Sequence, residues 1–298
     1  MKNVILFGAG ASYGSDTSHV PPLATSLFDE LATFNPLGWG SLSNEFATSF
    51  NSDFEQGMIK VAEERPHDLP ILQRAMAAFF FNYQPRNTNL YYRFAQELRN
   101  SPKEIALATL NYERLLEISF TAAGHNLNIG VPNQNEIELI LPHGCCHLFC
   151  ESARGMAGAV NFAGMNVQIN GEIKIISNPP DFNNRINNDA FPPVMSYFEP
   201  SKRTTAGQNF LDGQRARYND LIQNAETITV IGVKIREHDA HIWDPIKNTD
   251  TKFIYCSGSS ELDDFNEWTE RTRNGKQNVF INGFWSNHFD DVLNELEN

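Results

Sequence analysis

The sequence predicts an α/β fold: a Rossmann-like parallel sheet with helices on both faces and a mostly helical layer inserted after the first strand. Three observations predict it. The apolar run Lys2–Phe7 ends in Gly8-Ala9-Gly10, as a buried strand does when it turns sharply into a helix. Residues from about 24 to about 100 keep helical spacing. The last third of the chain alternates helix and strand, which requires crossover connections and therefore parallel strands.

The elements follow in order. After a loop holding Pro21-Pro22, Leu23, Leu27, Phe28 and Leu31 recur at helical intervals, as do Leu69, Leu72, Met76, Phe79 and Phe80, and then Leu90, Phe94 and Leu98. Pro85 and its polar neighbours between Asn82 and Asn89 predict a break. Residues 104–109 form a second apolar strand, residues 112–123 a helix, and residues 137–141 a third strand that ends at Pro142-His143-Gly144. Residues 167–175 alternate apolar and polar around Asn170-Gly171, a pair suited to a type I′ turn, and predict a hairpin. Residues 178–201 are rich in proline and asparagine and predict a long loop. Helices are expected at 208–225, 261–272 and 286–297, and strands at 227–232, 252–255 and 279–281. No internal repeat or low-complexity tract interrupts this order, so the expectation is a single domain over residues 1–298.

Bulk properties exclude several classes. The 298 residues are 41% hydrophobic, enough to bury a sizeable core, and carry a dispersed formal charge of −13. Nucleic acid is a poor partner for such a surface, because phosphate neutralisation needs clustered Lys and Arg. No run is long enough to span a membrane and no cleavable leader is expected. Three of the four cysteines crowd between Cys145 and Cys150, with Cys256 far away. That is no disulfide framework, and the expectation is a cytoplasmic protein.

Gly8-Ala9-Gly10 is not a dehydrogenase fingerprint. A G-x-G-x-x-G motif needs glycine at position 13, where Tyr13 stands and Gly14 comes one residue late. Asp29 and Glu30 lie at the distance of the ribose-binding acid, but in helical pattern with no strand before them. Hydride transfer is therefore disfavoured. Glycines at a strand end still let backbone N–H groups approach a phosphate. Two further loops follow strands directly: Thr109-Leu110-Asn111-Tyr112-Glu113 and Pro142-His143-Gly144. Alone, the Asn reads as a helix cap and the His as a structural residue. In a parallel sheet, loops at the carboxyl ends of strands converge on one crevice.

The cysteine cluster, with His147, offers the residue types of a metal site. If residues 143–150 continue as a strand, His143, Cys145 and His147 share one face while Cys146 and Cys150 share the other. Adjacent cysteines fit one tetrahedral ion poorly, so core packing is expected and no metal. His238 and His241 are helically spaced and lack an evident third ligand.

The ordered set Gly8–Ser12, Thr109–Glu113 and His143-Gly144 resembles the sirtuin-like domain family, and within it the branch of bacterial anti-phage defence NAD hydrolases. That family carries a GAG-A/I-S turn, a T-x-N-[YI]-D segment and an H-G pair. Ile231 to Asp239 is similar to its later glycine-containing segment, and Cys256-Ser257-Gly258 stands where it binds adenosine. The resemblance implies NAD as substrate, hydrolysed to nicotinamide and ADP-ribose. It implies Asn111 and His143 as catalytic residues, with Asn111 orienting ribose and water and His143 the general base. Gly8, Ala9, Gly10 and Ser12 would hold the diphosphate through backbone N–H groups, and Gly232 and Ser257 the adenosine half. It further implies control by assembly: a homo-oligomer, or a separate sensor or ATPase subunit.

The chain also departs from the family. Glu113 replaces the usual Asp, Val233-Lys234 replaces small hydroxyl residues, and Val20-Pro21-Pro22-Leu23 replaces the deacylase Pro-Asp-Phe-Arg run. The two C-x-x-C zinc pairs of deacylases are missing, and only residues 196–200 are similar to part of the acyl-lysine groove. A deacylase or ADP-ribosyltransferase remains an alternative, as does a module that binds a NAD derivative without chemistry.

Overall fold

The computed structural model describes residues 2–100, 104–155, 169–196 and 204–296. Its elements are β1 (Lys2–Phe7), α1 (Ala9–Tyr13), α2 (Ala24–Phe34), α3 (Asn44–Ser52), α4 (Phe54–Glu64), α5 (Leu69–Phe81), α6 (Leu90–Asn100), β2 (Ile105–Thr109), α7 (Leu115–Ala122), β3 (Asn126–Asn128), β4 (Glu136–Ile140), β5 (Leu148–Cys150), β6 (Ile173–Ile175), α8 (Pro179–Asn188), α9 (Gln208–Gln223), β7 (Ala225–Ile231), α10 (Ala240–Lys247), β8 (Lys252–Ser257), α11 (Leu262–Thr272), β9 (Asn278–Asn282) and α12 (Phe289–Glu295).

Among the described residues, seven strands pair in the order β3-β4-β2-β1-β7-β8-β9, and every pairing is parallel. Side chains alternate across the sheet. Ile5 and Phe7 enter the core beneath α2–α8 and α12, while Val4 and Leu6 enter a second core beneath α9, α10 and α11. Both faces are covered, which is why the strands read as continuous apolar runs. The helical layer is stapled by rings: Phe28 stacks on Phe50 at 5.0 Å and Trp39 on Phe54 at 5.8 Å. The Trp39 indole N–H donates to the Leu72 carbonyl at 3.0 Å. The predicted break falls between α5 and α6.

Several expectations need correction. Among the described residues, the two arms expected to pair around Asn170-Gly171 have other partners. Ile173–Ile175 pairs antiparallel with Leu148–Cys150, and Ile169 bridges Ala206; Val167 and Gln168 lie outside the described residues. A partner distant in sequence has outcompeted the local turn preference. The 178–201 loop contains α8, because Asn178 caps it by accepting the Asp181 N–H at 3.0 Å and the prolines occupy its first positions. Residues 197–201 lie outside the described residues, and with them most of the 196–200 groove segment. The helix expected from residue 112 begins at Leu115, and the last helix begins at Phe289 instead of residue 286; residue 297 is outside the description.

Candidate active site

The carboxyl ends of five adjacent strands carry all the residues singled out by sequence. Across the sheet, β4 leads to His143, β2 to Asn111, β1 to Gly8 and Gly10, β7 to Gly232, and β8 ends at Ser257. Four steps of about 4.8 Å make this row roughly 19 Å long. The chain order reverses between β1 and β7, and open α/β sheets bind ligands at such a switch point.

At that point two turns interlock. The Gly8 N–H donates to Ile231 O at 2.9 Å and the Gly10 N–H to Gly232 O at 2.9 Å. A Cβ on Gly10 would stand 2.9 Å from Gly232 Cα, and one on Gly232, whose φ is +64°, would stand 2.2 Å from Ala11 N. Gly8 and Gly10 thus spend their N–H groups inside the protein rather than offering them to a diphosphate, which corrects the role expected of them. Their lack of a side chain brings the β7 turn against α1.

The first polar cluster is built on α1. Asn111 Nδ2 donates to Gly8 O at 3.0 Å and to Ser12 Oγ at 2.8 Å. The Gly8 carbonyl can only accept, so it fixes which end of the amide faces it and leaves Oδ1 as the atom Asn111 offers a ligand. Ser12 Oγ in turn donates to Glu113 Oε1 and lies 2.8 Å from the Tyr91 hydroxyl. Glu113 Oε2 accepts the Leu115 N–H at 2.6 Å. Burial raises the Glu113 carboxyl above its ordinary range, against the hydrogen bonds from Ser12 and Leu115 that lower it. Sequence reading missed Tyr91, because its ring fits the apolar stripe of α6 and nothing in the pattern marks its hydroxyl. A cavity of about 520 Å³ opens between His19 and the segment Asn82–Arg86. Its Tyr83 hydroxyl is pushed up to about 12 by burial, then by the carboxylates of Glu30 and Glu113.

The second cluster is built on the end of β4. Gly144, with φ +76°, closes a turn by donating to Leu141 O at 2.9 Å, and the Ser196 N–H donates to His143 O at 2.8 Å. Arg215 of α9 clamps the same turn, its Nε donating to Pro142 O at 3.0 Å. These bonds aim His143 so that its Nε2 lies 2.9 Å from His241 Nε2. One hydrogen at most can lie between those two nitrogens. Asp239 completes the group, with a carboxylate oxygen and both imidazoles offering ligand atoms within 4.8 Å of one another. His241 therefore has the companions that sequence reading did not find. Asp239 stands two residues before it, while His143 comes from a strand end almost a hundred residues away that no local spacing could reveal.

The helical layer reaches this cluster through α4. Asp53 caps that helix by accepting the Glu55 and Gln56 N–H groups, which sets Glu55 facing the β7–α10 loop. There Glu55 pairs with Arg236 at 3.0 Å and His238 at 3.3 Å.

The Cys145–Cys150 segment is wholly buried, as expected for core packing, but residues 143–147 form no strand, so the expected alternation of faces does not apply. The Cys145 thiol donates to Tyr112 O, and His147 sits between Cys145 Sγ at 3.1 Å and Glu117 Oε2 at 3.0 Å. Burial pulls the His147 imidazolium down; the Glu117 carboxylate and Cys145 outweigh it and push it up to about 10. Ser257 lies far from both clusters, at the β8 end, where the exposed Phe284 ring lies 3.8 Å from the position of a Cβ on Gly258.

These features define a doubly covered parallel sheet of Sir2-like, Rossmann type with polar side chains along its carboxyl edge. Solved structures of Sir2 homologues share the fold. One is a Sir2 homologue variant in complex with ADP-ribose, at TM-score 0.51 and 15% identity, covering 99% of this chain and 92% of the other. The second is a Sir2 homologue–NAD complex, at TM-score 0.50 and 16% identity, covering 99% and 89%. No family model and no curated protein matches the sequence.

Proposed function

We propose that the protein is a NAD⁺ glycohydrolase that cleaves NAD⁺ to nicotinamide and ADP-ribose. The observation that carries the reading is the row of strand ends: an imidazole, an amide, a glycine crossing and a hydroxyl stand in order along one edge of the sheet. In this reading the adenosine half lies toward Ser257 and Gly232, with Phe284 as a face on which the base stacks. The diphosphate crosses α1 near Ala9 and Ser12, and the nicotinamide ribose lies between Asn111 and His143.

The chemistry asks little of the protein beyond placement. Nicotinamide leaves as a neutral molecule when its bond to the ribose carbon breaks, and positive charge grows on the sugar ring. The Oδ1 of Asn111 holds a ribose hydroxyl or the incoming water, and that water then attacks the sugar carbon. His143 takes the proton the water sheds. The buried Ser12–Glu113–Tyr91 network keeps Asn111 from turning.

The motif resemblance supports a setting in anti-phage defence, where depletion of NAD⁺ is the effect and assembly or a partner subunit holds the enzyme in check. The decisive experiment is incubation of the purified chain with NAD⁺ and chromatography of the products. Nicotinamide and ADP-ribose should appear in equal amounts, and Asn111→Ala should lower the rate by at least about a hundredfold, as loss of a positioned catalytic group does. Turnover by Asn111→Ala at the wild-type rate would overturn the site. Turnover only with an acyl-peptide, or saturable binding without nicotinamide release, would replace the function with a deacylase or a sensor.

A further inference from the structure

We propose that His143, Asp239 and His241 form a binding site for a divalent transition metal of the zinc class. Two imidazole nitrogens and a carboxylate oxygen lie within 4.8 Å of one another, and they are the donor types that zinc takes. The two Nε2 atoms stand 2.9 Å apart. Around a tetrahedral zinc with bonds of about 2.0–2.1 Å they would stand about 3.4 Å apart, so the rings need to part by roughly half an ångström. Three protein ligands leave a fourth position for water.

The ligands come from two segments whose backbones are fixed independently. His143 sits on the turn clamped by Arg215 and Ser196. Asp239 and His241 sit at the start of α10, where the Asp239 carbonyl accepts the Ile242 N–H at 2.8 Å and the Trp243 N–H at 3.1 Å. A metal entering here needs side-chain adjustment and no refolding. The partly exposed His241 gives it a way in. The other cluster of metal-ligating groups, Cys145, Cys146 and His147, is sealed from solvent and supplied by three consecutive residues, and its His147 is already engaged by Glu117.

Charge and proton both balance. Asp239 neutralises one of the two positive charges on the ion. The hydrogen between the two Nε2 atoms must leave, by moving to Nδ1 of the same ring or to water, since a ligating imidazole nitrogen gives its lone pair to the metal. One consequence rests on the hydrolase reading: an ion on His143 Nε2 takes the lone pair that would accept a proton from water, so bound metal switches hydrolysis off.

The test is calorimetric titration of the chelator-treated protein with Zn²⁺ in the absence of NAD⁺, for wild type, His241→Gln and Asp239→Asn, each checked for an unchanged circular dichroism spectrum. The expected result is one ion per chain, bound at least about tenfold more weakly by each variant, the loss that even an outer-shell change causes. Co²⁺ should give a visible spectrum without the strong near-ultraviolet band of thiolate ligation. Absence of binding, equal binding by all three proteins, or a thiolate band that moves the ion to the cysteines would each overturn the proposal. Because this binding is read without NAD⁺, it stands or falls apart from the hydrolase reading. If the wild type does hydrolyse NAD⁺, Zn²⁺ should slow it and a chelator restore it; indifference to both would remove the switch.

Discussion

Asn111 has two hydrogens on one side of its amide and two lone pairs on the other, and the Gly8 carbonyl decides which side faces inward. The glycines nearby act by what they lack. Gly232 combines a left-handed backbone with a contact that leaves no room for a Cβ beside Ala11 N. Gly232→Ala should therefore destabilise the protein by about 1–3 kcal/mol from backbone strain alone, with the clash added. Denaturant unfolding would show this as a lower midpoint, and an unchanged midpoint would mean the interlocked turns are not tight. At this scale the sequence exposed the residues whose meaning is local. Gly8-Ala9-Gly10, Asn111 and His143 were all legible because each follows an apolar run. Tyr91 was not legible, and Asp239 and His241, though noticed, could not be joined to His143, because that contact crosses from another element.

The helices of the 24–100 layer and the strands of the sheet were legible for a related reason: periodicity reports which face a segment buries. The failures came where something outweighed the most obvious local signal. Asn170-Gly171 favours a turn, yet Ile173–Ile175 pairs with β5. Pro179-Pro180 reads as loop composition, yet after the Asn178 cap it starts a helix. One tie between elements has a measurable pH signature. Glu117 on α7 faces His147 next to β5, and His147 is raised from 6.5 to about 10. A group whose folded value is raised contributes stability that is complete below its unfolded value and lost as pH rises through the folded value. Thermal stability should therefore decline from about pH 6.5 toward pH 10, and Glu117→Gln should flatten that part of the profile. A variant with the wild-type pH profile would show that the pair does not carry the charge assigned to it.

For the whole molecule, strand order matters more than any motif. Placing β1 at the centre, with β2 and β4 on one side and β7 and β8 on the other, gathers residues from the first dozen positions to beyond position 250 along one edge. The parallel class of the sheet was legible from helix–strand alternation, and the convergence of loops followed from that class. The order of strands was not, because no local pattern tells a strand which neighbour it will have. The helical layer then closes on that edge through Glu55, and the loop it touches carries Asp239 toward His143.

A crystal structure of the protein grown with ADP-ribose would decide whether one ligand spans these strand ends. The adenosine should lie beside Ser257 and Phe284, the diphosphate over α1, and the distal ribose within hydrogen-bond reach of Asn111 Oδ1 and close to His143. A well-ordered ligand bound away from the carboxyl edge of the sheet, with Asn111 and His143 untouched, would contradict that placement.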